Sequence, residues 1–202
     1  HRDLHSFPTR RSSDLGSGGG GGAVFCNDVV VGNLTYYSQR EYNDIPICGG
    51  GCSFGSSACG PVSISMILNE DPIDVSMREG FLVPGGCGLT SCSGTAIAPL
   101  INALSNNGVS AVSVPTPSGS PEQITDEISR YLAEGNVIFA LTHTRGFGHF
   151  YVITCVESPG YITAYDPWWG QNVVHKVVST SGEGLASGTD NTYIRYMYLV
   201  QN

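Results

Sequence analysis

Apolar residues recur at two different spacings along this chain. Between Cys59 and Gly135 they fall at helical intervals, and beyond Gly135 they crowd into short runs rich in β-branched and aromatic residues. A first helix is predicted over residues 59–68, covering the apolar run that begins at Val62, with Asp71-Pro72 stopping its continuation. A Gly- and Cys-rich loop follows over 80–94, then a helix over about 95–105 closed by Asn107-Gly108. The next helix has the clearest start: Ser120 as N-cap, Pro121 at the first position and Gln123 completing a capping box. Ile124, Ile128, Tyr131 and Leu132 give it one apolar stripe, and Gly135 ends it. Strands are predicted over 137–141, 150–156, 161–165, 173–178 and 193–200, separated by turn chemistry such as Ser158-Pro159-Gly160. Upstream, 29–31 and 34–37 read as two short strands around Gly32-Asn33. Helices first and strands afterwards imply an α+β domain with a mainly antiparallel sheet.

The N-terminal residues follow neither pattern. Segment 6–15 resembles the conceptual translation of a sequencing-library adapter, and residues 1–15 are expected to be an assembly artefact outside the fold. Residues 16–23 are a Gly-rich linker expected to be flexible, which puts the domain at 24–202. On this reading the native N-terminus is missing, so a signal peptide or upstream domain stays open.

Composition narrows the function classes. A chain of 202 residues with 41% hydrophobic content suffices for one domain with a sizeable core. Its net charge is −8, with Lys176 the only lysine. No basic stripe is available for nucleic acid, and no apolar run approaches the roughly 18 residues of a membrane span. Seven cysteines are many for a reducing compartment, so an extracellular or cell-surface location is expected. If Cys59 stays free, the other six can pair, with a connectivity that sequence leaves open. Cys48/Cys52 and Cys87/Cys92 form two close pairs that could instead hold a structural zinc, but their spacings are looser than a zinc ribbon's, and disulfides are the preferred reading.

Candidate chemistry centres on Ser57-Ala58-Cys59-Gly60-Pro61. A small-residue loop delivers a thiol to the first turn of a helix, where the unpaired N–H groups and the macrodipole favour the thiolate. The alternative for Cys59 is half of a disulfide or a buried small hydrophobe. A thiol nucleophile needs a base, and the base an orienting group. Outside residues 1–15 there are three histidines, His143, His149 and His175. His149 enters a strand after Gly146-Phe147-Gly148, and Asp166 closes the next strand. A hairpin around Pro159-Gly160 that pairs residue 149 with about residue 168 leaves Asp166 on the face of His149, one diagonal step away, whereas a one-residue slip puts it on the other face. Taken singly, His149 reads better as a satisfied core histidine and Asp166 as a turn initiator before Pro167; it is together with Cys59 that each falls where a Cys-His-Asp site needs it. His143 competes as base or as a metal partner of His149, and His175 reads as structural. For the oxyanion of an acyl-transfer site the candidates are the Cys59 N–H and the side chain of Gln39, the only glutamine between the adapter segment and Cys59; otherwise Gln39 is an ordinary exposed polar residue. Trp168-Trp169 reads as a hydrophobic cover, with one indole able to shield a hydrogen bond between His149 and Asp166.

Together, Tyr37-Ser38-Gln39, Ala58-Cys59-Gly60-Pro61 with Ser63 and Met66, Gly148-His149-Phe150-Tyr151-Val152, Asp166-Pro167 and Gly170 resemble the papain-like cysteine peptidases related to the bacteriocin-processing, double-glycine-leader enzymes, in a free-standing form. The resemblance covers about 34–202. It implies a papain-like fold acting on a peptide or protein substrate, with Cys59 as nucleophile, His149 as base and acid, Asp166 as orienter and Gln39 as oxyanion donor. It implies no metal and no organic cofactor. Two positions depart from the family pattern: the stretch between Gln39 and Cys59 is longer than usual, and Cys155 stands where a small residue is expected. The competing functions are a silent peptide- or glycan-binding module on the same fold and a transglutaminase-like acyl transfer to an amine. Oligomeric state is left open.

Overall fold

The computed structural model describes residues 26, 34–180 and 189–201. The proposed adapter segment 1–15, the linker 16–23 and the strand at 29–31 lie outside the described residues. Residues 34–37 form no strand, contrary to expectation. They are held instead by side chains: Asn69 Oδ1 accepts the Thr35 N–H at 2.7 Å, and the Tyr36 hydroxyl donates to the Asp166 carbonyl at 3.2 Å. A single 3₁₀ turn, Gln39–Tyr42, follows.

Two short strands, β1 (Pro46–Ile47) and β2 (Cys52–Ser53), lead into a one-turn helix α1 (Phe54–Ser57) and then α2 (Cys59–Leu68). Asn69, in the left-handed conformation at φ 55°, ends α2. Asp71-Pro72 therefore does more than end what precedes it. The Asp71 carboxylate accepts the N–H groups of Ile73 and Asp74 at 2.8 and 3.3 Å, and Pro72 fills the first position of an unpredicted helix, α3 (Pro72–Arg78). A small hairpin of β3 (Thr90–Ser91) and β4 (Gly94–Thr95) precedes α4 (Ile97–Asn106). Then come β5 (Ser110–Val114), also unpredicted, and α5 (Pro121–Ala133), whose capping box joins Ser120 and Gln123 as the sequence suggests. The C-terminal part is all strand: β6 (Val137–Thr144), β7 (Phe147–Ser158), β8 (Tyr161–Asp166), β9 (Gly170–Val177) and β10 (Asn191–Gln201).

The architecture is mixed, with five helices among the described residues and one six-stranded sheet in the order β5-β10-β6-β7-β8-β9. Its neighbours run antiparallel, and a short parallel contact of β9 with β10, Thr192 beside Val177, curls the far edge back. The central strands are apolar at successive positions because both faces are covered. Val137, Phe139, Phe150 and Val152 pack with Val62 of α2 and Leu100 of α4. Ile138, Ala140, Tyr151 and Ile153 pack with Ile124 and Ile128 of α5 on the opposite face.

Glycine allows the close approach of α2. A Cβ on Gly60 would lie 2.6 Å from Leu100 Cδ1 and 3.3 Å from Phe150 Cδ2, so a larger residue would push the helix off the sheet just where Cys59 begins it. All six other cysteines are paired, Cys26–Cys155, Cys48–Cys87 and Cys52–Cys92, and Cys59 is free. The last two bridges cross-link the loop before α1 to the loop before α4. Cys155, which stands where the resemblance led to the expectation of a small residue, is bonded to Cys26.

Candidate functional site

Four segments far apart in sequence converge at the N-terminus of α2. The α1 turn is set by Ser53 and Ser56, which cap each other, and the Ala58 N–H donates to the Phe54 carbonyl at 2.9 Å. The first intrahelical bond of α2 is from the Val62 N–H to the Ala58 carbonyl, at 3.0 Å. Helix geometry thus leaves the N–H groups of Cys59 and Gly60 without an intrahelical acceptor, and Pro61 has none to satisfy. Cys59 opens onto a cavity of about 380 Å³ lined by Gln39, Ser57, Cys59, Ser93, His149 and Trp168, among others.

Gln39 reaches this cavity through two anchors. Its own N–H donates to the Pro167 carbonyl at 2.8 Å, which ties the 3₁₀ turn to the end of β8, and its Nε2 donates to the Gly55 carbonyl at 2.8 Å. It is buried, at 2% exposure, so the exposed-residue alternative is overturned. Close contact with Gly55 requires glycine there: a Cβ would come within 2.7 Å of the Gln39 carbonyl oxygen and 2.4 Å of Asn43 Oδ1. An amide nitrogen carries two hydrogens, so one Gln39 N–H remains beyond the bond to Gly55.

His149 and Asp166 meet through the register of β7 and β8. The turn pairs Ser158 with Tyr161, and two one-residue shifts follow before Ile153 pairs with Ala164 and Val152 with Tyr165. One shift would have turned Asp166 to the other face; two restore the parity and draw it two residues closer to His149. The register continued toward the strand ends sets residue 149 against residue 168, the pairing expected from sequence. His149 Nε2 lies 2.8 Å from Asp166 Oδ1, and the same oxygen accepts the N–H groups of Trp168 and Trp169 at 2.8 and 3.1 Å.

Burial alone would push the His149 imidazole down. The carboxylate of Asp166, its hydrogen bond, and a further interaction with the Cys59 thiol outweigh this and hold His149 well above its ordinary value. For Asp166, burial would raise the carboxyl, but the facing His149, and after it His175, hold it below the usual carboxylate range. With Nε2 committed to Asp166, Nδ1 is the nitrogen left for Cys59. Trp169 sets its ring edge-on to His149, with centroids 5.0 Å apart, and stacks on Phe147, while the Arg145 guanidinium lies 4.4 Å from the centroid of the same indole. The Trp169 indole therefore packs beside the His149 ring, and Trp168 lines the cavity.

The remaining histidines separate clearly. Thr142 pairs directly with His149 across β6 and β7, so His143 sits on the face opposite His149 and cannot share a metal with it, and the cavity onto which Cys59 opens is lined by His149 and not by His143. His175, expected to be merely structural, is fully buried beside Asp166, with Nε2 3.3 Å from Oδ2. Its sequence neighbourhood of β-branched residues carries no signal for this contact, which needs β9 beside β8. The sulfurs of Cys48, Cys52 and Cys92 lie within 4.8 Å of one another, but each is in a disulfide and offers no thiolate to zinc. Compared with known proteins, the chain matches no family model and no curated sequence.

Proposed function

We propose that this protein is a papain-like cysteine peptidase or amidase that hydrolyses peptide bonds through a thioacyl intermediate. The observation that carries the reading is the line Cys59–His149–Asp166, a free thiol at a helix N-terminus facing a buried imidazole whose protonated form a hydrogen-bonded carboxylate favours. His149 takes the Cys59 proton, and the thiolate attacks the substrate carbonyl carbon. The Cys59 N–H and the second N–H of Gln39 receive the developing oxyanion. His149 then gives its proton to the leaving amine as the tetrahedral adduct collapses to the thioester. A water molecule, deprotonated by His149, attacks the thioester and releases the acid with the thiol restored. The resemblance of the motifs around Gln39, Cys59, His149 and Asp166 to the bacteriocin-processing peptidases supports the same assignment, and three disulfides favour an extracellular setting.

The test is the rate of Cys59 alkylation by iodoacetamide against pH, read by peptide mass spectrometry in the parent and in His149→Ala. Rapid labelling at about pH 6 that slows at least tenfold in the variant supports the reading, because an ordinary thiol reacts well only near its pKa of about 8.5. Labelling indifferent to His149 overturns it in favour of a binding module. Products formed with an added amine separate hydrolysis from acyl transfer.

A further inference from the structure

Asp166 is held unevenly. Its Oδ1 accepts three hydrogen bonds, from His149, Trp168 and Trp169, whereas among the described residues Oδ2 accepts none of good geometry and faces the Nε2 of His175, 3.3 Å away. Asp166 and His175 are both 0% exposed. His175 lies on β9 opposite Ile162 of β8, so the pleat turns it to the face that also carries Ala164 and Asp166.

The imidazole of His175 is oriented by a stack. Its ring lies 4.8 Å from that of Tyr151 with 6° between the planes. The Tyr151 hydroxyl bonds Thr192 Oγ1 at 2.8 Å, Thr192 bonds Thr144 at 2.7 Å, Thr144 bonds Thr142 at 2.9 Å, and the Thr142 hydroxyl donates to the His149 carbonyl at 3.1 Å. A buried ring of contacts thus runs from the His149 backbone round to the His175 side chain and, through Asp166, back to the His149 imidazole. The titratable groups on this face are Asp166 on β8 and His149 and Tyr151 on β7. β6 and β10 contribute neutral threonines, and α5 adds the phenol of Tyr131 to the same apolar cluster but buries no charged side chain against it.

We propose that His175 is a positioning residue for the Cys59–His149 pair: its Nε2–H donates to Asp166 Oδ2, keeping the carboxylate ionised and fixed against the His149 imidazole. A buried carboxylate oxygen without a donor favours the protonated acid, and a protonated Asp166 no longer supports the charge on His149. The proposal rests on the reading of Cys59 and His149 as nucleophile and base.

His175→Phe keeps an aromatic ring against Tyr151 and removes the donor; His175→Gln restores a donor of similar reach. Both are compared with the parent in the full chain, by the pH profile of Cys59 alkylation and by Tm. The expected result is a profile displaced upward by about one pH unit in His175→Phe, roughly tenfold slower labelling at pH 6, largely recovered in His175→Gln. Profiles that superimpose on the parent while Tm falls mean a purely structural histidine and overturn the proposal. A parent thiol indifferent to His149→Ala overturns the underlying reading, and this one with it, and that comparison is made first. Nitrogen-15 spectra of histidine-labelled parent protein give an independent reading should a variant fail to fold: a proton on His175 Nε2 is expected, and an unprotonated Nε2 overturns the assignment.

Discussion

Residue by residue, the site turns on which groups carry charge. Asp166 holds His149 charged above its ordinary range, so Asp166→Asn is expected to move the alkaline limb of the kcat/KM profile to lower pH, toward the unperturbed imidazole near about 6.5. A limb that stays in place would show that another group supports His149. Gln39 makes a different prediction. Its proposed role exists only once an oxyanion has formed, so Gln39→Ala should lower kcat by about 10²- to 10³-fold while Cys59 alkylation at pH 6 barely changes. Equal loss in both measurements would mean that the substitution has displaced Cys59. Residue type and order along the chain are enough to make Cys59, His149, Asp166 and Gln39 legible as candidates, because each belongs to a short motif. The second histidine on Asp166 is not legible in this way: nothing in Val174-His175-Lys176 distinguishes a side chain aimed at a carboxylate from one filling a core.

Among the helices and strands, local chemistry accounts both for the elements that can be read from sequence and for those that cannot. The helix α5 is written in Ser120, Pro121, Gln123 and its apolar stripe. The helix α3 is equally written, in Asp71 as N-cap and Pro72 at the first position, but the same two residues also read as a stop. Asp71→Ala is expected to cost about 1 kcal/mol through loss of the two accepted N–H bonds, measured by denaturant unfolding. The other device at this level is the contact of α2 with α4 and β7 through Gly60. Gly60→Ala should cost about 1–3 kcal/mol by overpacking against Leu100 and Phe150, and its effect on Cys59 alkylation should exceed that of Asp71→Ala, since it shifts the helix end that carries the thiol. The short strand β5 has no sequence signal because it is half exposed on the edge of the sheet, where little apolar alternation is required.

Across the domain, stability and the site are tied through pH. A group whose value is raised on folding, as for His149, contributes stability that is complete below its unfolded value near about 6.5 and is lost as pH rises through the folded value. Asp166, held low, contributes stability that is complete above its unfolded value near about 3.9 and is lost as pH falls through the folded value. Both contributions are therefore complete together between about pH 4 and 6.5, and Tm is expected to be highest there and to decline toward either side. Asp166→Asn should flatten both flanks; a parent profile already flat over this range would show that the pair is not coupled to folding.

The order of residues alone specifies a local vocabulary: where helices are capped, where strands are dense enough to be buried on both faces, which residue types can do acyl-transfer chemistry, and that six cysteines remain if one is free. These follow from interactions within a few residues of one another. The disulfide partners, the two compensating register shifts that put Asp166 beside His149, the exclusion of His143 to the other face and the meeting of His175 with Asp166 arise only when the sheet is assembled. The strand contacts among these depend on the parity and neighbours of a strand in the sheet, and parity can be reversed by a single inserted residue that leaves the hydrophobic pattern of the chain nearly unchanged.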